Sequence, residues 1–373
     1  MPLTELSFLG LVATALITAL LISFVATPVV KSLAQKVGAV DVPKDGRRMH
    51  DHPIPRMGGL AIFLGFTLAV LVFADLTRQL QGMLLGAVII VVLGIFDDIY
   101  ALRASFKFVV QIIAALVAVL YGGNVISVLS NPNIFSSNPW WVLGPLSIPV
   151  TVLWIVAITN AVNLIDGLDG LAVGVSTISS MTLLVIALTV ADWEVAVLMG
   201  ALAGACIGFM PYNLNPAKIF MGDTGSTFLG FVLAVVSIQG LFKFYTIISF
   251  AVPFLMLGLP IFDTAFAFIR RIAHGQNPMS PDRSHVHHRL IDMGFNQKQA
   301  VAVLYVISAI LGLSAVVLTT SGALKAMMLL LALCAAGAVS ARLFWGNNNG
   351  KNHPDEPGRN KPEAKPDGGG DKP

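Results

Sequence analysis

The sequence predicts an all-α integral membrane protein of about eleven transmembrane helices, with its N-terminus outside and its C-terminus cytoplasmic. Three observations carry that prediction. Of 373 residues, 56% are apolar and only 12% charged; uncharged stretches of membrane length recur along the chain; and the cations fall between alternate stretches. A soluble domain holds roughly 25% charged residues, so the deficit places this chain in lipid.

The uncharged intervals run over residues 6–30, 57–74, 79–96, 170–191, 195–217, 224–242, 244–262, 299–324 and 326–341. Most reach the roughly 17 to 25 residues that a helix needs to cross the hydrocarbon layer. A longer uncharged interval, 108–165, contains an Asn-, Ser-, Pro- and Gly-rich middle with Trp140 and Trp141. It reads as two spans joined by an outer loop with interfacial tryptophans. The first thirty residues contain Glu5 and no Lys or Arg, and Lys31 is the first cation. A cleaved signal peptide begins with a basic region, so this helix is expected to stay, with the basic segment after it inside.

Alternating the spans from that start places twenty Lys and Arg in inside loops and only Arg78, Lys243 and Lys325 outside. That asymmetry is the positive-inside pattern. All seven histidines fall inside, and of the 20 acidic residues only Glu5, Asp75, Asp192 and Glu194 fall outside. The inner face is therefore the working face, and the net charge of +3 averages over a strongly sided distribution. Cys206 and Cys334 lie in apolar stretches and read as small hydrophobes, with no disulfide framework or cysteine metal site. Residues 1–345 read as one polytopic domain, and 346–373, rich in Asn, Gly, Lys, Pro and Asp, as a disordered cytoplasmic tail.

Five inner segments carry chemistry. The first holds Arg47, Arg48, His50, Asp51, His52 and Arg56 before Gly58-Gly59; it reads either as a positive-inside anchor or as an anion contact. The second is Asp97-Asp98 at the end of a span. Adjacent carboxylates near lipid ask for a cation, and magnesium favours carboxylate and phosphate oxygens. Neighbouring helical residues do not share a face, so the two acids are expected to have different jobs. The third, Asn163-Leu164-Ile165-Asp166-Gly167-Leu168-Asp169-Gly170, aims two carboxylates into one small volume or caps a turn. The fourth, Asn213 to Ser226 with Phe220 and Asp223, leads into a helix whose first N–H groups suit phosphate. Capping by Asp223 or Thr224 is the alternative, and no Walker-type P-loop is present. The fifth holds Arg283, His285, His287, His288 and Arg289. It is a dense donor set for phosphate or sugar oxygens, with a zinc site as the competing reading. Asp263 is the remaining inner carboxylate.

In this order and on this face, the segments resemble the polyprenyl-phosphate N-acetylhexosamine-1-phosphate transferases from about Arg47 to Arg289. The resemblance implies that Asp97 and Asp98 are the family's aspartate pair and that Asn163, Asp166 and Asp169 form its NxxDGxDG motif. It implies catalytic roles for Asp97, Asp98, Asp166, Asp169, His287 and His288. Asp223 looks like the magnesium-ligating aspartate, with Asp98 beside it, and Mn²⁺ is an alternative to Mg²⁺. Substrate contacts fall on Arg47, His50, Lys107, Asn163, Asn213, Phe220, Arg283 and His285, with Asn213 and Phe220 facing a uridine.

The spacing His285-Val286-His287-His288 after Ser280-Pro281-Asp282-Arg283 is similar to the N-acetylglucosaminyl branch that starts teichoic acid and O-antigen synthesis. The lipid I branch usually has three consecutive histidines. The implied partners are UDP-GlcNAc, undecaprenyl phosphate and membrane lipid, with no nucleic acid and room for a homodimer. The implied place is a bacterial plasma membrane with a cytoplasmic active site. Arg103 departs from members that carry a third acid there. The alternatives are a UDP-MurNAc-pentapeptide phosphotransferase and a secondary transporter, although a transporter's coupling acids lie near the bilayer midplane. A CDP-alcohol phosphotransferase is disfavoured because Ala-Arg does not follow Asp166-Gly167.

Overall fold

The computed structural model describes residues 3–42, 52–130, 140–241, 248–275, 285–322, 324–325 and 327–331. It divides into two compact units, Met1–Met327 and Met328–Pro373. Of the second unit only residues 328–331, all helical, are described. The expected span 326–341 therefore falls mostly outside the described residues, and the expected tail 346–373 falls wholly outside them.

Among the described residues, the first unit holds twelve α-helices. They are α1 (Leu3–Val37), α2 (Gly59–Phe73), α3 (Arg78–Tyr100), α4 (Ala104–Leu116), α5 (Ser147–Leu164), α6 (Leu171–Thr189), α7 (Trp193–Asn213), α8 (Gly222–Leu241), α9 (Ile248–Met256), α10 (Gly258–Ala273), α11 (Val286–Asp292) and α12 (Gln297–Ser321). Seven helical segments among the described residues are long and apolar enough to cross a membrane, and α2 is a shorter apolar helix. The chain is a multi-pass membrane protein.

The all-α expectation misses two small antiparallel pairs. Strand β1 (Val40–Asp41) pairs with β2 (Ile54–Pro55). Strand β3 (Val128–Ser130) pairs with β4 (Trp140–Val142). Both lie in connections between helices, where backbone groups left outside a helix must find partners elsewhere.

Helices α7 and α8 form the centre. Along α8, Phe228, Leu229 and Phe231 to Val236 are fully buried. A helix apolar all round belongs in a core. In lipid there is no apolar transfer to drive helices together, so small residues that let backbones approach closely do that work. Gly200, Gly204 and Gly208 recur every fourth residue on α7 and face α1. A Cβ on Gly204 would sit 2.1 Å from the Leu16 carbonyl oxygen, and one on Gly208 2.2 Å from that of Leu20.

The uncharged interval predicts one span over 244–262, but the chain there breaks at Leu257 into α9 and α10. Pro260 has no N–H to donate to the Met256 carbonyl four residues earlier. The Ser179 hydroxyl of α6 donates to that carbonyl instead, at 2.8 Å.

Helix α12 begins with a reciprocal cap. The Gln299 N–H donates to Asn296 Oδ1 at 2.9 Å, and the Asn296 N–H donates to Gln299 Oε1 at 3.0 Å. Asn296→Ala is expected to cost about 1 kcal/mol, measured as a lower unfolding midpoint in detergent with transfer activity retained.

The helix ends sort into two groups. The Thr77 hydroxyl donates to Glu194 at 2.9 Å, and Arg78 Nε donates to the Tyr121 carbonyl at 2.7 Å, so the starts of α3 and α7 share one end. The aspartates and histidines of the five segments gather at the other end, as far as those segments are described.

Candidate active site

Asp97 and Asp98 close α3. As the spacing argument requires, they face different partners. Asp97 Oδ1 accepts from the Leu102 N–H at 2.7 Å, which ties the turn after α3. Its Oδ2 accepts from Lys107 Nζ at 2.9 Å, and the same ammonium donates to Asp223 Oδ2 at 2.8 Å. Two carboxylates from separate helices thus converge on one cation.

Asp98 points to the start of α8. Its Oδ1 accepts from the Asp223 N–H at 3.0 Å, and its Oδ2 from the Thr224 N–H at 3.1 Å and the Thr224 hydroxyl at 2.7 Å. A carboxylate at a helix N-terminus satisfies orphan donors and meets the positive end of the macrodipole. These N–H groups were the expected phosphate cradle. In the structure, those of Asp223 and Thr224 are taken by Asp98.

Arg56 closes the cluster. Its Nε lies 3.4 Å from Asp98 Oδ1, and its Nη2 lies 3.7 Å from Asp223 Oδ1. The strand pair and the glycines beside it hold Arg56 there. The Phe220 N–H donates to the Pro55 carbonyl at 2.8 Å, and the N–H groups of Gly58 and Gly59 donate to the Phe220 and Met221 carbonyls at 2.9 Å each. Gly222 adopts φ +71°, and a Cβ there would lie 2.4 Å from Asp98 Oδ2. Only glycine supplies both that backbone conformation and that space.

The NxxDGxDG segment is the turn between α5 and α6. Asn163 Nδ2 donates to the Ser226 hydroxyl of α8 at 2.8 Å. The Asp166 N–H donates to the Asn163 carbonyl at 3.2 Å, while its carboxylate makes no hydrogen bond or ion pair with another described residue. Burial, together with the neighbouring Asp223 charge, pushes its carboxyl up to about 8. Asp169 faces away from the ionic cluster and accepts from Asn215 Nδ2 at 2.9 Å and from the Ala217 N–H at 3.0 Å. Asn213 is spent on the same loop, accepting from the Gly170 N–H at 3.2 Å and donating to the Ile219 carbonyl at 3.0 Å. Asp169 and Asn213 therefore shape the loop that carries Phe220.

The histidines reach the same end through α11. His287 is 3% exposed, and a Cβ on Gly167 would lie 2.4 Å from its Nε2, so its ring packs against the DG turn beside Asp166. Burial and the neighbouring His288 lower the His287 imidazole to about 4, leaving it neutral at pH 7. The His287 and His288 rings lie 4.3 Å apart. Arg47, His50 and Arg283 lie outside the described residues.

The sequence reads the first segment, Arg56 included, as an anchor or an anion contact, without setting Arg56 among the site residues. Its signal is its position directly before Met57-Gly58-Gly59, where the chain is drawn against α8. Three aspartates, 97, 98 and 223, face two cations, Arg56 and Lys107, so the ionised cluster carries one negative charge in excess. A divalent cation would correct that excess. No group of three or more His, Cys, Asp or Glu side chains suited to a metal is found among the described residues. Magnesium needs no such cage, because one or two carboxylates complemented by substrate phosphates suffice. Asp97 and Asp223, already sharing one cation, are such a pair.

The family described as glycosyl transferase family 4 matches residues 80–241, which include Asp97 and Asp223. The chain is 45% identical over 315 residues to a probable undecaprenyl-phosphate N-acetylglucosaminyl 1-phosphate transferase of Bacillus subtilis, covering 83% of this chain and 86% of the Bacillus protein. It is 36% identical over 333 residues to the decaprenyl-phosphate N-acetylglucosaminephosphotransferase of Mycolicibacterium smegmatis, covering 82% and 80% of the two chains. It is 34% identical over 271 residues to an undecaprenyl-phosphate alpha-N-acetylglucosaminyl 1-phosphate transferase of Thermotoga maritima, covering 72% and 78%. The chain therefore belongs to glycosyl transferase family 4, in the branch formed by these prenyl-phosphate N-acetylglucosamine 1-phosphate transferases.

Proposed function

We propose that this enzyme transfers N-acetylglucosamine 1-phosphate from UDP-GlcNAc to undecaprenyl phosphate at the cytoplasmic face of a bacterial plasma membrane. The products are undecaprenyl diphosphate-GlcNAc and UMP. The observation that carries the reading is the convergence of Asp97 and Asp223 on Lys107, with Arg56 and Asp166 beside them, at one end of a membrane helix bundle. The orientation with the N-terminus outside and eleven spans belongs to the same proposal and is supported by the sided distribution of cations.

Both reactants are anions, so charge neutralisation and positioning are the main tasks. Mg²⁺ held by Asp223 and Asp97 would neutralise the diphosphate and stabilise the departing UMP. Asp97 replaces Asp98 in that pair because Asp97 and Asp223 already share one cation, the Lys107 ammonium, whereas Asp98 is turned to the N–H groups of α8. Asp98 contributes by fixing the backbone from which the Asp223 side chain projects. Lys107 and Arg56 bring positive charge to the phosphates of donor and acceptor. A phosphate monoester has a second pKa of about 6, so the acceptor arrives largely dianionic and needs orientation more than deprotonation. Direct attack on the β-phosphorus follows. His287, neutral and packed on the DG turn, acts as a hydrogen-bonding group rather than a cation. The acids sit at helix ends, which suits chemistry at the surface rather than transport through the bilayer.

A donor panel tests the substrate. Purified enzyme with undecaprenyl phosphate is expected to use UDP-GlcNAc and to leave UDP-MurNAc-pentapeptide untouched. Equal or preferred use of the pentapeptide donor would move the enzyme to the lipid I reaction.

A further inference from the structure

Asp263 lies on α10, outside every motif that marks the site, yet it is 5% exposed and both of its carboxylate oxygens are engaged. His285 Nδ1 lies 2.9 Å from Oδ2, and the Val286 N–H donates to Oδ1 at 2.8 Å. One carboxylate thus clamps a dipeptide at the start of α11, where the histidine motif begins. An ionised carboxylate only accepts, so His285 Nδ1 carries the proton and, in the neutral ring, Nε2 is left as the acceptor.

The clamp also sets the ring plane. His285 stacks on His287 with ring centroids 5.7 Å apart and planes 8° from parallel. His287 in turn lies against Gly167, next to Asp166. A continuous series of contacts therefore runs from Asp263 through His285 and His287 to the DG turn.

We propose that Asp263 is a positioning residue for the transfer reaction: its carboxylate fixes the tautomer and orientation of His285 and seats the histidine motif on the DG turn, without itself touching substrate. The inference rests on the functional reading above, and it adds a residue that the motifs do not contain. Groups that orient a functional histidine from behind typically matter by about 10- to 100-fold in activity.

A double-mutant cycle tests it, with a labelling readout that does not depend on activity. Asp263→Asn keeps the size and one acceptor but turns an amide NH₂ toward His285. It is expected to lower kcat/KM for UDP-GlcNAc by about thirtyfold. In a His285→Gln background, where the bond is already lost, the same change is expected to cost less than about twofold. An equal cost in both backgrounds, or no cost in the wild-type background, overturns the proposal. In parallel, diethyl pyrocarbonate modification mapped by mass spectrometry is expected to reach His285 and His287 slowly in the wild type and at least about fivefold faster in Asp263→Asn. Unchanged rates also overturn it. If Asp263→Asn fails to fold, Asp263→Ser, which also removes the carboxylate, replaces it in both measurements with the same criteria. A wild-type enzyme that transfers no sugar phosphate would sink the functional reading, and the labelling rates would then decide the clamp alone.

Discussion

Replacing Asp223 with asparagine is expected to lower kcat by about a thousandfold while leaving the fold intact. The backbone N–H of residue 223 still donates to Asp98, and the Thr224 bonds do not involve the altered side chain, so the start of α8 keeps its place. What is lost is one of the two carboxylates that share a cation, at 2.8 Å from Lys107 Nζ. Arg56 and Lys107 then face one acid fewer, and the site loses both its draw on a divalent ion and its balance around the diphosphate. Turnover of purified protein over a Mg²⁺ titration measures the effect, with thermal unfolding in detergent as the check on folding. Near-normal turnover at ordinary Mg²⁺ concentrations would take Asp223 out of the proposed metal pair.

The second large effect is steric. Gly59 and Gly94 bring α2 and α3 against the first turn of α8 at backbone contact. A Cβ on Gly59 would lie 1.9 Å from Gly225 Cα, and one on Gly94 would lie 2.4 Å from Thr224 Cα. These neighbours are main-chain atoms and cannot rotate away, so the helices must separate. Gly59→Ala is expected to destabilise the protein by about 3 kcal/mol or more. Gly94→Ala is expected to do the same and, in addition, to pull the Thr224 N–H from Asp98 and abolish transfer. Gly10→Ala on α1, where an added Cβ meets nothing within 4 Å, is the control and should be silent. Unfolding midpoints and transfer activity of the three variants in detergent measure this; wild-type behaviour of Gly59→Ala would refute the close packing of α2 on α8.

The membrane class was legible because charge is excluded from lipid at every depth, so the uncharged runs and the sided cations mark the helices without any knowledge of packing. The site was legible in its acids for a related reason. Adjacent carboxylates at a membrane face need compensation, and Asp97 and Asp98 do turn to different partners, Lys107 and the α8 N-terminus. What the sequence hid is how polar groups are spent. Asp169, expected to be catalytic, and Asn213, expected to face the uridine, also hold a loop together, and nothing local says that Ala217, Gly170 and Ile219 will come within reach. Asp98 read as a metal ligand for the same reason, since its partners lie more than a hundred residues away at the start of α8. The break between α9 and α10 was missed because an apolar run carries no mark of a carbonyl that Pro260 cannot serve.

In the proposed reaction phosphorus moves with the sugar. UDP-GlcNAc labelled with ³²P in the β-phosphate and ¹⁴C in the sugar, given to purified enzyme with undecaprenyl phosphate, is predicted to place both labels in the lipid in equal amounts, with UMP as the nucleotide product. Carbon label in the lipid without phosphorus, accompanied by UDP, would show simple sugar transfer and contradict it.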